Sequence, residues 1–351
     1  MNEMREEIAQ LMKEIERPIK LMEVCGTHTV AIFRHGVRSL LPSTISLLSG
    51  PGCPVCVTSI ADVDAAISIA KRPNTVLVTF GDMMRVPGGK QSLLEARSEG
   101  ADVRVMYSPM DALKLAQAEP QKEVVFFGTG FETTSPLIAA TAFDAVRKGV
   151  KNFSVFSSHK TVPLALKALL DSVDVKVDGF ILPGHVSTII GTRPYDFVAA
   201  EYKKPCVVTG FEAKEIMLGI LMIVRQIARK EAKVENSYPS VVKDEGNPKA
   251  VALLNEIFEP SDAYWRGIGV LPATGLKLRE KYRVVDAEAR FHPQTTGIPE
   301  PELCSCGDIL RGVKIPTECA LFGTGCTPEN PVGPCMVSTE GSCSAYYKYG
   351  E

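Results

Sequence analysis

Residues 124–136 read VVFFGTGFETTSP, an unbroken apolar run that ends in glycines and passes straight into a polar segment closed by Pro136. A strand with one face in water alternates polar and apolar side chains. A continuous Val/Phe run is what a strand carries when helices cover both its faces, as in a parallel sheet. The same pattern recurs on either side. Upstream lie LMEV (21–24), ISLLSG (45–50), TVLVTFGD (75–82) and VRVMYS (103–108); downstream lie FSVFSS (153–158), DGFILPG (178–184) and CVVTG (206–210). Helical stretches separate these runs. Ser59 and Asp62 have capping-box spacing, with Ile60, Val63 and Ile67 as an apolar stripe behind them, and Val30, Phe33, Val37 and Leu40 form another stripe after Cys25. Strand–helix alternation of this kind reads as α/β, doubly wound.

The chain has 351 residues, more than one ordinary core organises. The expected architecture is two α/β lobes with mostly parallel sheets flanked by helices, over residues 1–115 and 116–270. Either lobe is free to be discontinuous. Beyond Leu271, Pro, Gly and Cys become dense and helical periodicity fades, so residues 271–351 read as a small irregular domain held by something other than a large core. Residues 229–251, charged and rich in turn formers, read as an exposed connection.

Composition excludes several classes. Net charge is -2, with 45% hydrophobic and 23% charged residues, so no basic excess draws the chain to nucleic acid or anionic lipid. A protein partner or small ligand is the better expectation. The N-terminal Met4, Ile8, Leu11, Met12 and Ile15 share one helical face, and no secretory apolar stretch is present. The longest apolar run, Ile216 to Val224, is too short to span a bilayer and contains Gly219. A soluble, cytoplasmic protein with no membrane association is expected.

Nearly every polar motif follows directly on an expected strand: Cys25–Thr29, Gly50–Cys56, Gly81–Gly88, Gly130–Pro136, Ser158–Lys160, Gly184–Thr188 and Gly210–Glu212. Ligands of open α/β sheets bind at the carboxyl ends of the strands, so these motifs can converge on one cleft. Asp82, Glu132 and Glu212 could orient His28, His159 or His185 there, or cap helices. No G-x-x-x-x-G-K-[ST] loop is present.

Ten cysteines is the unusual count. In a reducing compartment, clustered cysteines are metal ligands or redox thiols more often than disulfides. Cys53 and Cys56 form a C-x-x-C pair just before an expected helix, where backbone N–H groups favour thiolate. Such a pair can cycle between dithiol and disulfide, or join Cys25 and His28 in a Cys₃His zinc set. The C-x-x-H pair Cys25 and His28 can instead hold a single iron with open positions, or act as nucleophile and base, although no G-x-S-x-G or caspase-like context supports the last. Cys206, inside an apolar strand, reads as core packing. Cys304, Cys306, Cys319, Cys326, Cys335 and Cys343 crowd the C-terminal region without any C-x-x-C pair, which disfavours a zinc ribbon. Four thiolates are what a [4Fe–4S] cluster requires. Cys319, Cys326, Cys335 and Cys343 are the expected ligands, with Cys304 or Cys306 as substitutes and a disulfide framework as the alternative.

Longer strings carry a resemblance. LMEVCGTHT (21–29), LSGPGCPVCVT (48–58), TFGDMMRVPG (79–88), FFGTGFETTSP (126–136), ILPGHVSTIIG (181–191) and the ending PTECALFGTGCTPENPVGPCMVSTEGSCSAYYKYG (316–350) resemble the hydrogenase maturation factor family HypD. The resemblance spans Leu21 to Gly350. It implies a scaffold on which iron receives the cyanide and carbon monoxide ligands of [NiFe]-hydrogenases, working with a small HypC-type chaperone and a HypE-type cyanide donor. It further implies a [4Fe–4S] cluster beneath two α/β lobes, Cys25 as the iron ligand with His28 beside it, and Cys53 and Cys56 as a redox-active pair. A free-standing iron–sulfur thiol–disulfide oxidoreductase and a zinc-stabilised binding module are the competing readings.

Overall fold

A computed structural model describes residues 1–350. Helix α1 (Asn2–Ile15) leads into β1 (Ile19–Glu23), α2 (Gly26–Arg34) and β2 (Ile45–Ser49). Next come α3 (Ile60–Ala70), β3 (Thr75–Thr79), α4 (Leu93–Ser98), β4 (Asp102–Val105), α5 (Pro109–Ala118), β5 (Glu123–Gly130), α6 (Ser135–Arg147), β6 (Phe153–His159) and α7 (Val162–Asp171). The chain continues through β7 (Gly179–Pro183), α8 (Gly184–Ile190), α9 (Asp196–Ala200), β8 (Cys206–Thr209), α10 (Ala213–Ala228), β9 (Val234–Asn236) and α11 (Pro248–Ile257). A hairpin, β10 (Phe258–Trp265) and β11 (Gly269–Leu278), precedes the short helices α12 (Ala287–Phe291), α13 (Cys306–Leu310), α14 (Pro334–Val337) and α15 (Ser342–Tyr349).

Two parallel sheets result. The first has the order β2-β1-β7-β8-β9 and the second β4-β3-β5-β6. Counted within each sheet, both begin 2-1-3-4, the doubly wound order whose reversal opens a crevice at the strands' carboxyl ends. That reversal falls between β1 and β7 in one lobe and between β3 and β5 in the other. Cys25 follows β1 and Gly184 follows β7, while Gly81 follows β3 and Phe131 follows β5.

The two-lobed α/β architecture is as expected, and its first lobe is discontinuous. Leu21 of β1 sits in register with Gly179 of β7, whereas residues between 75 and 159 supply the whole second sheet. Position 115 falls inside α5, and β4 and β5 on either side of that helix both pair with β3.

Packing shows why the strand runs are continuous in apolarity. In the second sheet Val76, Val78, Val124 and Phe126 pack into a cluster with α5 and α6, while Leu77, Val125 and Phe127 pack into another with α3 and α4. Both faces are core. In the first sheet Leu21 joins α1 and α10 through Ile8, Met12, Ile216 and Ile220. The opposite face, with Met22, Val24, Phe180 and Leu182, packs on Trp265 and the cysteine-rich segment. No helix is long and apolar enough to cross a membrane among the described residues.

Candidate functional site

Cys25 is the N-cap of α2, with an extended backbone at φ -151, so its side chain stands where strand turns into helix. Its N–H donates to Glu23 Oε2 at 3.0 Å, and Thr29 Oγ1 donates to Glu23 Oε1 at 2.5 Å. Burial pushes the Cys25 thiol up to about 12 and the Glu23 carboxyl up to about 8. Glu23 was not anticipated as part of the site. Its signal was a carboxylate inside the apolar run LMEV, where an unpaired acid is costly.

His28, on the next turn of α2, is fully buried. Its Nε2 lies 2.9 Å from Gly210 O. A carbonyl only accepts, so Nε2 carries the hydrogen and Nδ1 presents a lone pair, which is buried and has no partner. Burial pulls His28 down to about 4, so the ring is neutral. It stacks on Phe211, which stacks in turn on His185, with centroids 4.7 and 4.0 Å apart.

The dithiol turn lies against this motif. Gly26 N donates to Gly52 O at 2.9 Å. A Cβ on Gly52 would stand 2.1 Å from Cys25 N, so only glycine lets the two backbones cross. Cys53 and Cys56 follow, both buried, with Cys56 N donating to Cys53 Sγ at 3.3 Å. The pair does not lie at a helix N-terminus: α3 starts at Ile60, capped by Ser59 Oγ accepting from Asp62 N at 2.9 Å. The expected helix assistance is therefore displaced, and burial instead pushes the Cys56 thiol well above its ordinary value. Among the described residues no three His, Cys, Asp or Glu side chains converge as around a single metal ion. Cys25, His28, Cys53 and Cys56 thus do not assemble the Cys₃His set.

Behind the dithiol turn, Cys304, Cys306, Cys319, Cys326, Cys335 and Cys343 line one narrow cavity, closed by Ile309, Leu321, Phe322 and Met336. Cys306 Sγ and Cys335 Sγ are 2.7 Å apart, and Val332 N points to Cys326 Sγ at 3.3 Å. Cys335 also neighbours Cys56. The hydrogen bond with Cys306 lowers the Cys335 pKa, but the Cys56 thiol and burial outweigh it and hold the thiol well above its ordinary value. Sulfur atoms thus run from Cys53 through Cys56 and Cys335 to Cys306 and the cavity.

The strand-end acids take other work. Glu132 is buried and accepts from Val162 N at 3.0 Å, capping α7. Glu212 is the N-cap of α10, and Asp82 accepts from Ser338 Oγ at 3.1 Å. None of the three orients a histidine. His159 Nδ1 instead meets Ser157 Oγ at 2.9 Å. Cys206 is fully buried in β8 among core residues.

This geometry defines a class: two-lobed α/β proteins with buried thiols and a neutral imidazole at the strand ends and, among the described residues, no carboxylate hydrogen-bonded to a histidine. Comparison with known proteins narrows the class to one family. The HypD profile, described as "Hydrogenase formation hypA family", matches residues 1–350. A Rhodobacter capsulatus protein named hydrogenase maturation factor HypD is 49% identical, over 98% of this chain and 94% of its own length. The protein of that name from Escherichia coli K12 is 45% identical, over 99% of this chain and 93% of its own. One from Rhizobium leguminosarum bv. viciae is 49% identical over 95% and 89%. The chain belongs to the HypD family.

Proposed function

We propose that this chain is a [NiFe]-hydrogenase maturation factor, a cytoplasmic scaffold on which an iron ion receives cyanide and carbon monoxide. The observation that carries the proposal is the contact of the dithiol turn with both sulfur sites: its Gly52 crosses the Cys25 backbone, and its Cys56 borders Cys335.

Iron is cargo here. Cys25 offers it one soft thiolate from a strand end, and a cysteine of a small HypC-type chaperone completes the holding pair. Iron binding displaces the thiol proton, and the neutral His28 Nδ1 is a buried lone pair one turn away able to accept a hydrogen bond. Cyanide arrives from a HypE-type donor.

The tail cavity suits a polynuclear thiolate centre, since six thiols line one cavity that is otherwise closed by apolar side chains. Cys319, Cys326, Cys335 and Cys343 would hold a [4Fe–4S] cluster, with Cys304 and Cys306 as substitutes. When bound, such a cluster supplies single electrons. Cys53 and Cys56 would pass between dithiol and disulfide, exchanging two protons and two electrons, in single-electron steps, with an external redox partner.

The test is anaerobic co-purification with the chaperone, followed by infrared spectroscopy. Cyanide and carbon monoxide stretches should appear with the wild type and vanish with Cys25→Ala. Their persistence in Cys25→Ala would refute the assignment of the iron.

A further inference from the structure

Arg266 occupies the turn between β10 and β11 and is 2% exposed. A guanidinium taken out of water needs a compensating charge, and among the described residues no carboxylate lies within ion-pair distance of it. Its Nη1 donates to Pro87 O at 2.8 Å and its backbone N–H to Val57 O at 3.0 Å. Glu300, the acid on the neighbouring segment, accepts instead from Gly267 N at 3.1 Å. The charge is buried and unpaired.

Its turn touches the residues that directly follow two of the cysteines. Val57 directly follows Cys56. Gly267, the residue after Arg266, crosses Gly307 so closely that a Cβ there would stand 2.6 Å from Gly307 Cα, and Gly307 directly follows Cys306. The turn is therefore wedged between the dithiol and the Cys304–Cys306 segment.

We infer that Arg266 is the fixed counter-charge of the tail sulfur centre, compensating the negative charge that metal-bound thiolates bring to the end of the cavity where Cys335 meets Cys306. Four thiolates around a divalent ion leave a net negative charge, and in a dry cavity that charge is costly unless a cation is already in place. The inference rests on the reading that the cavity holds metal on thiolates.

The test compares the full-length wild type with Arg266→Met and Arg266→Lys. Cadmium(II), titrated anaerobically into the metal-free protein and followed by thiolate-to-metal charge-transfer absorption, is the probe. Arg266→Met should bind it about tenfold more weakly, about 1.4 kcal/mol, while Arg266→Lys stays near the wild type. Metal-free Arg266→Met should melt no lower than the wild type, because an unpaired buried charge has been removed. An unchanged cadmium affinity in Arg266→Met overturns the inference. So does a wild type that takes up no cadmium, or a metal-free Arg266→Met protein that melts well below it. Iron and sulfide in anaerobically prepared wild type are assayed separately. Their absence, with the cadmium difference intact, would sink the cluster reading and leave the counter-charge standing.

Discussion

Thr27 Oγ1 donates a 2.6 Å hydrogen bond to Glu340 Oε1 across 313 residues of sequence. The helix that presents Cys25 is thereby tied to the segment just before Cys343. The tie is reinforced where Phe33 meets Tyr346 edge to face at 4.6 Å and the Arg38 guanidinium lies over both rings. An irregular tail with little core of its own is thus ordered by contacts with the amino-terminal motif.

Thr27→Val removes that donor and leaves Glu340 without its partner. A loss of about 1 kcal/mol is expected, together with faster amide exchange in α15. Hydrogen-exchange mass spectrometry reads this directly; unchanged protection in α15 would mean the tail is held by other contacts.

Gly52→Ala places a methyl group against main-chain atoms of Val24 and Cys25, at 2.1 to 2.4 Å. Backbone cannot yield as a flexible side chain does, so a destabilisation of about 3 kcal/mol is expected. Urea unfolding measures it. A midpoint equal to that of the wild type would show that the dithiol turn is not in contact with Cys25.

Glu132 and His159 pull the stability–pH curve in opposite directions, as Glu23 and His28 also do. Burial raises Glu132 from 4.5 to about 7, so between those values the folded state holds a proton that the unfolded state releases, and stability falls as pH rises. Burial lowers His159 from 6.5 to about 3, so the unfolded state takes up a proton there first and stability falls as pH drops. Each contributes a slope of up to about 1.4 kcal/mol per pH unit. From pH 4.5 to 6.5 the two slopes oppose each other, so there Glu132→Gln should make stability rise more steeply with pH, and His159→Asn should make it rise less steeply or fall. Denaturation curves from pH 4 to 8 decide it, and slopes unaltered by both changes would contradict the assignment.

Cys53 and Cys206 should separate chemistry from packing. Cys206→Ala costs about 1 to 2 kcal/mol as a small cavity and leaves maturation of a hydrogenase intact. Cys53→Ala removes the dithiol and should abolish maturation while the protein stays folded. Normal hydrogenase activity in cells carrying only Cys53→Ala would remove the redox pair from the account.

Much of this was legible in the sequence because buried parallel strands leave an unmistakable trace. TVLVT and VVFF are apolar on both faces, and each is followed at once by its polar motif. The pairing of β1 with β7 left no such trace, since register between strands some 158 residues apart is decided by tertiary packing. The β10–β11 hairpin was not anticipated. Pro260 and Pro272 disguise it, and the half-exposed alternation of FEPSDAYW is weak. With it went Arg266, whose importance lies in a missing partner that only the fold reveals. The three-residue β9 was likewise hidden within a stretch read as a connection. The sulfur motifs were legible as residues; that Cys56 borders Cys335 was not, because no spacing rule spans that distance.

Iron and acid-labile sulfide, assayed together on anaerobically purified protein, probe the sulfur centre most directly when wild type is set beside the Cys53→Ala/Cys56→Ala double variant. About four of each per chain is expected in both proteins, since on the proposed reading the tail cysteines alone would hold the cluster and the dithiol would only adjoin it. A wild type without inorganic sulfide, or a cluster lost along with the dithiol, would contradict this.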